Sequence, residues 1–161
     1  MDKALQNHLP GGSFQDVSPT HSGRMAAIRG RSNRSTEVKL RMALVRAQIR
    51  GWLLRPKGIR GSPDFLFPKG KVIVFVDGCF WHGCPKCAKL AKVRENRSYW
   101  ATKIAVNKNR DRQTTRYLRA HGYLVLRLWE HDLLHDKACL AKISELLNDE
   151  PQEIAGVSSD D

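Results

Sequence analysis

Three of the four cysteines fall between residues 79 and 87, in Val76-Asp77-Gly78-Cys79-Phe80-Trp81-His82-Gly83-Cys84-Pro85-Lys86-Cys87, directly after the apolar run of KVIVFV. Such a run, bounded by turn signals, has the length of a buried strand. The thiols therefore gather where that strand ends, and they are one ligand short of the closed tetrahedron a structural zinc requires. Any fold must deliver the fourth ligand to this point. His82 is the nearest candidate, but it lies between two of the cysteines, where its ring has little reach into the same tetrahedron. Cys139 falls inside a predicted helix, where a lone cysteine is usually a small core residue. His131 directly follows a predicted strand over 123–129, and a strand end is a fixed point from which an imidazole can reach a loop at a sheet edge. His131 is the expected fourth ligand. A redox pair at Cys84 and Cys87 is the alternative, and it leaves Cys79 without a role.

The segments around this loop read as a mixed α/β chain. PDFLF and KVIVFVD flank Pro68-Lys69-Gly70-Lys71, a turn signal that predicts a β-hairpin. With the turn centred between Lys69 and Gly70, Asp64 lies opposite Phe75, and Asp77 follows two residues on, on the same face. Neighbouring carboxylates repel unless a cation sits between them, so this corner suits a hard ion such as Mg²⁺. Alternatively, Asp64 after Pro63 only starts a turn, and Asp77-Gly78 only ends a strand. Upstream, Ser35 is a plausible N-cap for TEVKLRMALVRAQIR, in which Val38, Met42, Val45 and Ile49 recur at helical spacing before Gly51 closes the helix. Residues 96–120 form a long basic helix ending at His121-Gly122, and 132–147 a final helix. On the long helix Trp100, Lys103, Asn107 and Arg110 share one face, offering an aromatic, two cations and an amide to phosphates and base edges.

At 161 residues the chain has the length of one domain. The net charge is +12; the last fourteen residues hold five acids and no Lys or Arg, so residues 1–147 carry 28 basic against 11 acidic groups, or +17. A surplus of that size points to a polyanionic partner. Residues 1–22 and 148–161 are expected to be flexible ends, the latter an acidic disordered tail. No apolar stretch approaches membrane-spanning length, and the polar opening MDKALQNHLPGG lacks the apolar run of a secretory signal. A cytoplasmic location is expected, in which clustered cysteines favour a metal over disulfides.

Four blocks in one order, SPDF, FVDGCFWHGCP, SYWATKIAVNKNRDR and GYLVLRLWEHDL, preceded by SGRMAAIRGRSNRSTEVKLR, resemble the very-short-patch-repair (Vsr) DNA mismatch endonucleases across about residues 22–134. The resemblance implies a restriction-endonuclease-like fold, a mixed sheet flanked by helices, with a structural zinc near the active site. It implies a Mg²⁺-dependent endonuclease domain over 23–147 that nicks one strand next to the T of a T:G mismatch, the lesion left by 5-methylcytosine deamination. Double-stranded DNA is then the partner, with mismatch-recognition proteins as further candidates, and a monomer is expected.

Carried over by residue, Asp64 and the backbone carbonyl of Val76 hold Mg²⁺, and His82 activates water. Cys79, Cys84, Cys87 and His131 fall on zinc-ligand positions. Asp111 orients a histidine of the site, and Glu37 assists the metal through water unless it is only a first-turn carboxylate favoured by the helix dipole. Phe80, Trp81 and Trp100 wedge between base pairs, and Met25 lies in a DNA-contacting arm over 23–34. Asp77 occupies a position where some members carry histidine. The acid and lysine usual in this fold would stand at 75 and 77, but these are Phe75 and Asp77. An imidazole, whose ordinary pKa lies near neutrality, is then the better base.

Overall fold

The computed structural model describes residues 36–92, 94 and 96–148. Ser35, Met25, the 23–34 arm, the first 22 residues and the tail from 149 lie outside the described residues. In chain order the elements are helix α1 (36–46), strands β1 (Leu53–Leu54), β2 (Phe65–Phe67) and β3 (Val72–Asp77), helix α2 (Arg97–Ala120), strand β4 (Leu124–Trp129) and helix α3 (Asp136–Asn148). Short 3₁₀ turns occupy Lys89–Lys92 and Asp132–Leu134. The predicted final helix is thus broken near its start, where Asp132 Oδ2 accepts the Trp129 N–H at 3.1 Å.

The sheet runs β1-β2-β3-β4, antiparallel except for the parallel pair β3/β4. All six residues of β3 are buried, as a central strand covered on both faces must be. One face of the sheet turns Phe65, Phe67, Val72, Val74, Val76 and Leu128 toward Leu40 and Leu44 of α1 and Cys139 and Ile143 of α3. The other turns Ile73, Phe75 and Val125 toward Leu118 of α2. Helices therefore cover both faces, as expected. The hairpin register pairs Phe65 with Val74 and Phe67 with Val72, the arithmetic that sets Asp64 opposite Phe75.

Helix α1 turns a different face inward from the one its spacing suggests. Val38, Met42 and Val45 are 51%, 53% and 56% exposed, while Leu40, Ala43 and Leu44 are buried. The segment carries two apolar stripes, and periodicity alone does not choose between them. Packing does: the Leu40 stripe carries Glu37 and Leu44 on the same face, so it fills the core and seats an acid beside the sheet. The helix also stops before Gly51. Gln48 takes a left-handed φ of +56°, with bonds from Gln48 N–H to Val45 O (3.1 Å) and from Ile49 N–H to Leu44 O (3.0 Å), the Schellman pattern. Ile49, just past that end, packs against the core. Helix α2 ends in the same way at the predicted glycine, with Gly122 at φ +78° and Tyr123 N–H bonded to Leu118 O at 3.1 Å.

Candidate active site and metal centre

The parallel register of β3 and β4 builds the metal group. Asp77 pairs with Trp129, and Glu130 N–H continues the ladder to Asp77 O at 2.9 Å. Cys79 and His131 each stand two residues beyond that last pair, so two neighbouring strands deliver them side by side. Cys79 Sγ lies 3.2 Å, Cys87 Sγ 3.4 Å and Cys84 Sγ 3.7 Å from His131 Nδ1. The four ligand atoms all fall within 4.8 Å of one another.

Turn bonds from Cys84 N–H to Cys79 O and from Ala88 N–H to Cys84 O, at 2.9 and 3.1 Å, bring the thiols inward. Glu130 Oε2 secures the entrance by accepting the Cys79 N–H at 3.1 Å and Lys89 Nζ at 3.2 Å. Burial pushes the Cys79 thiol up to about 12, against a hydrogen bond involving His131, and the neighbouring thiols raise it further. The thiol therefore keeps its proton unless a metal displaces it, and three sulfurs with one imidazole match the donor set of a structural zinc. Among the described residues, buried His131 Nε2 has no hydrogen bond, although Asp132 Oδ1 lies 3.2 Å away. Cys139 is buried in the α1/α3 core, apart from the group.

A second site opens at the same end of β3. Asp64 precedes β2; its N–H donates to Val74 O at 3.1 Å, and its carbonyl accepts the Arg55 N–H at 2.9 Å. The paired part of β2 begins opposite Val74, so the Val76 N–H finds Asp64 Oδ2 instead, at 2.7 Å. Burial raises the Asp64 carboxyl to about 6; the Val76 bond opposes this, and the charges of Glu37 and Asp77 add to it. A carboxylate so placed favours a cation. Glu37 is buried, at 6% exposure, and accepts Arg55 Nε at 2.5 Å. It is thus more than an exposed first-turn acid, and its charge is felt at Asp64.

His82 and Asp111 meet as expected, with Nδ1 2.5 Å from Asp111 Oδ2. Burial by itself would raise the Asp111 carboxyl, but the hydrogen bond and charge of His82 and the nearby Arg127 guanidinium hold it below its ordinary value. An ionised carboxylate only accepts, so the neutral ring carries its proton on Nδ1 and leaves Nε2 bare. The loop that holds the ring lies tight against α2. Gly83 has φ +63°, and a Cβ there would come within 2.6 Å of Ile104 Cγ2.

Asp77 differs from its reading as a metal-facing carboxylate. Its two oxygens accept Arg127 Nε and Nη2, each at 2.6 Å, so the cation answering its charge is a guanidinium. In the sequence Arg127 does not stand out, because a single polar residue in LVLRLW reads as ordinary strand alternation. The usable signal was a charge at the centre of a strand whose neighbours are buried, since such a charge needs a carboxylate.

Phe80, Trp81, Tyr99 and Trp100 form one half-buried cluster of edge-to-face rings, with centroids 5.2 Å apart for Phe80/Trp81, 5.3 Å for Phe80/Trp100, 5.6 Å for Trp81/Trp100 and 5.0 Å for Tyr99/Trp100. Lys103 is half-buried and Arg110 exposed on α2. Asn107 departs from its expected place on a base-reading face. It is 7% exposed, and its Nδ2 donates to the Trp81 carbonyl at 2.9 Å, so it fixes the aromatic loop to the helix.

Comparison with known proteins identifies the family. A family model described as DNA mismatch endonuclease Vsr matches residues 17–89. The type II nicking enzyme V.NmeDIP of Neisseria meningitidis serogroup C is 38% identical over 125 residues, covering 73% of this chain and 82% of that protein. V.NaeI of Lentzea aerocolonigenes is 38% identical over 74% of each chain. The DNA mismatch endonuclease Vsr of Escherichia coli K12 is 32% identical over 133 residues, 78% of this chain and 82% of that protein. With helices on both faces of a mixed sheet and a Cys₃His group beside an acidic corner, the chain belongs to the Vsr family of DNA endonucleases and has its restriction-endonuclease-like fold.

Proposed function

We propose that the protein nicks one strand of duplex DNA next to the T of a T:G mismatch, as arises when 5-methylcytosine deaminates, with Mg²⁺ at the acidic corner and zinc in the Cys₃His group. The carrying observation is the placement, at one end of β3, of a cation-seeking carboxylate, Asp64, and an imidazole whose Nδ1 is fixed by Asp111. Asp64 and the Val76 carbonyl would hold Mg²⁺, with Glu37 acting through water. The ion supplies charge neutralisation at the phosphate and a more acidic water. His82 Nε2 takes the proton of the attacking water as the water oxygen bonds to phosphorus and the P–O bond of the departing strand breaks. Asp111 stabilises the imidazolium that results. Zinc on Cys79, Cys84, Cys87 and His131 keeps the His82 loop rigid. Phe80, Trp81 and Trp100 stack at the opened step, where an imperfect pair lowers the cost of unstacking.

The names of the relatives, nicking enzymes and a mismatch endonuclease, agree with this reading. The test is a nicking assay on end-labelled T:G and T:A duplexes of one sequence, each with Mg²⁺ or with EDTA. One nick, in the T strand of the T:G duplex and only with Mg²⁺, is expected. Equal nicking of both duplexes would assign a matched DNA substrate instead. No nicking of either, with tight binding to both, would reduce the protein to a DNA-binding module.

A further inference from the structure

We propose that Arg127 is a positioning residue for His82, acting by withdrawing Asp77 from competition for the imidazole. This rests on the reading of His82 as the base. Asp111 Oδ2 lies 2.5 Å from His82 Nδ1, but Asp77 Oδ1 lies only 3.6 Å from the same atom. One N–H thus faces two carboxylates, and a modest ring rotation would exchange them and re-aim Nε2.

Arg127 prevents the exchange. Its Nε and Nη2 hold both Asp77 oxygens at 2.6 Å, and Nη2 also reaches Asp111 Oδ1 at 3.1 Å. The oxygen of Asp111 that faces His82 is the other one. The guanidinium therefore neutralises the rival and holds the far oxygen of the chosen partner. Its own orientation is fixed as well: its carbon sits 4.6 Å from the centroid of the Phe75 ring, and the side chain is only 21% exposed. The sheet supplies the geometry. Arg127 pairs with Phe75 in the parallel register, and Asp77 follows two residues further along β3 on the same face. A long side chain lying across Phe75 and reaching forward meets Asp77 and, beyond it, Asp111 on α2.

The experiment uses the full chain loaded with zinc and a duplex the unaltered protein nicks. It records single-turnover rate, DNA affinity, melting temperature and the His82 Nδ1–H signal in ¹⁵N-histidine spectra. Arg127→Met should lower the rate about a hundredfold, the scale set by displacing a reacting group by about an ångström, while affinity changes less than about threefold. The His82 Nδ1–H signal should shift or broaden.

Arg127→Lys should recover little, because a single ammonium cannot reproduce the fork that holds both Asp77 oxygens and reaches Asp111. Arg127→Met combined with Asp77→Asn should recover to within about tenfold of the unaltered rate, since the rival charge is gone. An unchanged rate in Arg127→Met overturns the proposal. So does a parallel fall in rate and affinity that the double variant does not rescue, because the guanidinium would then touch DNA. If Arg127→Met does not fold, the double variant decides, and if that too is unfolded, a near-normal rate in Arg127→Lys refutes the proposal and a lost rate supports it. His82→Ala separates the levels: full activity there removes the base assignment itself, whereas an inactive His82→Ala beside a fully active Arg127→Met removes only the role of Arg127.

Discussion

Asp64 is an acid kept against its preference, raised to about 6 by burial and then by Glu37 and Asp77, with the Val76 N–H pulling the other way. A carboxyl whose folded pKa exceeds its unfolded one contributes stability while protonated, and that contribution is lost as the pH climbs through the folded value. Without Mg²⁺, Asp64→Asn should therefore melt higher than the unaltered protein at about pH 8, and the gain should shrink below about pH 6 and vanish near pH 4. Thermal melts across that range with EDTA check it, and a gain independent of pH would mean that charge is not the cause. With Mg²⁺ present the order should reverse. This acid was legible because hairpin arithmetic needs only a turn and a period of two. The partner of Arg127 was not, since nothing along a strand tells which residues a neighbouring strand sets beside it. The role of Asn107 is hidden for a related reason: helical spacing places it on a face, but the loop carrying Trp81 covers that part of the face.

Helix α2 works as the backing for the His82 loop, so changes on it should act at a distance from the chemistry. Asn107→Ala leaves the Trp81 carbonyl without its partner, and loss of such a buried bond costs about 1–3 kcal/mol. The expected outcome is a lower melting temperature together with poorer preference for T:G over T:A duplex, read by melting and by competitive binding. Trp100→Ala should reduce that preference about ten- to a hundredfold, the worth of one base–aromatic stack, with melting little changed because the ring is only half-buried. Equal weakening on both duplexes would place Trp100 in general backbone binding. Gly83→Ala brings a methyl within 2.6 Å of Ile104 Cγ2 at a φ of +63°, and should slow nicking through displacement of the loop while DNA affinity stays close to normal. Helix type was legible from periodicity, and the end of α2 from its glycine, but the end of α1 and the start of α3 were not. The buried face of α1 was not, because Val38, Met42 and Val45 repeat at the same spacing as the residues that are inside.

Across the whole molecule the charge is as one-sided as the chemistry requires, with 28 Lys and Arg against 16 acids. Affinity for matched duplex should fall steeply with salt, since each released counterion adds to the slope, whereas the ratio of mismatched to matched affinity should hold nearly constant. A titration at several salt concentrations reads both. His131 was within reach of sequence reasoning because it stands directly after a strand, a fixed point near a sheet edge; the parallel register that sets it beside Cys79 was not. The consequence of the Cys₃His group for folding differs from that of a site whose ligands are scattered. Cys79, Cys84 and Cys87 lie within nine residues, close enough along the chain to bind the proposed zinc together in the unfolded state, whereas His131 is brought to them by the β3/β4 register. Ligand held equally by the unfolded chain adds nothing to stability. The part of the zinc affinity that favours the folded state is thus mainly the fourth bond. His131→Ala should still purify with zinc, yet stripping that zinc should barely lower its melting temperature. The unaltered protein should lose many degrees to the same chelator. With the proposed zinc bound, the histidine would make a metal-binding peptide into a latch that closes only on the finished sheet.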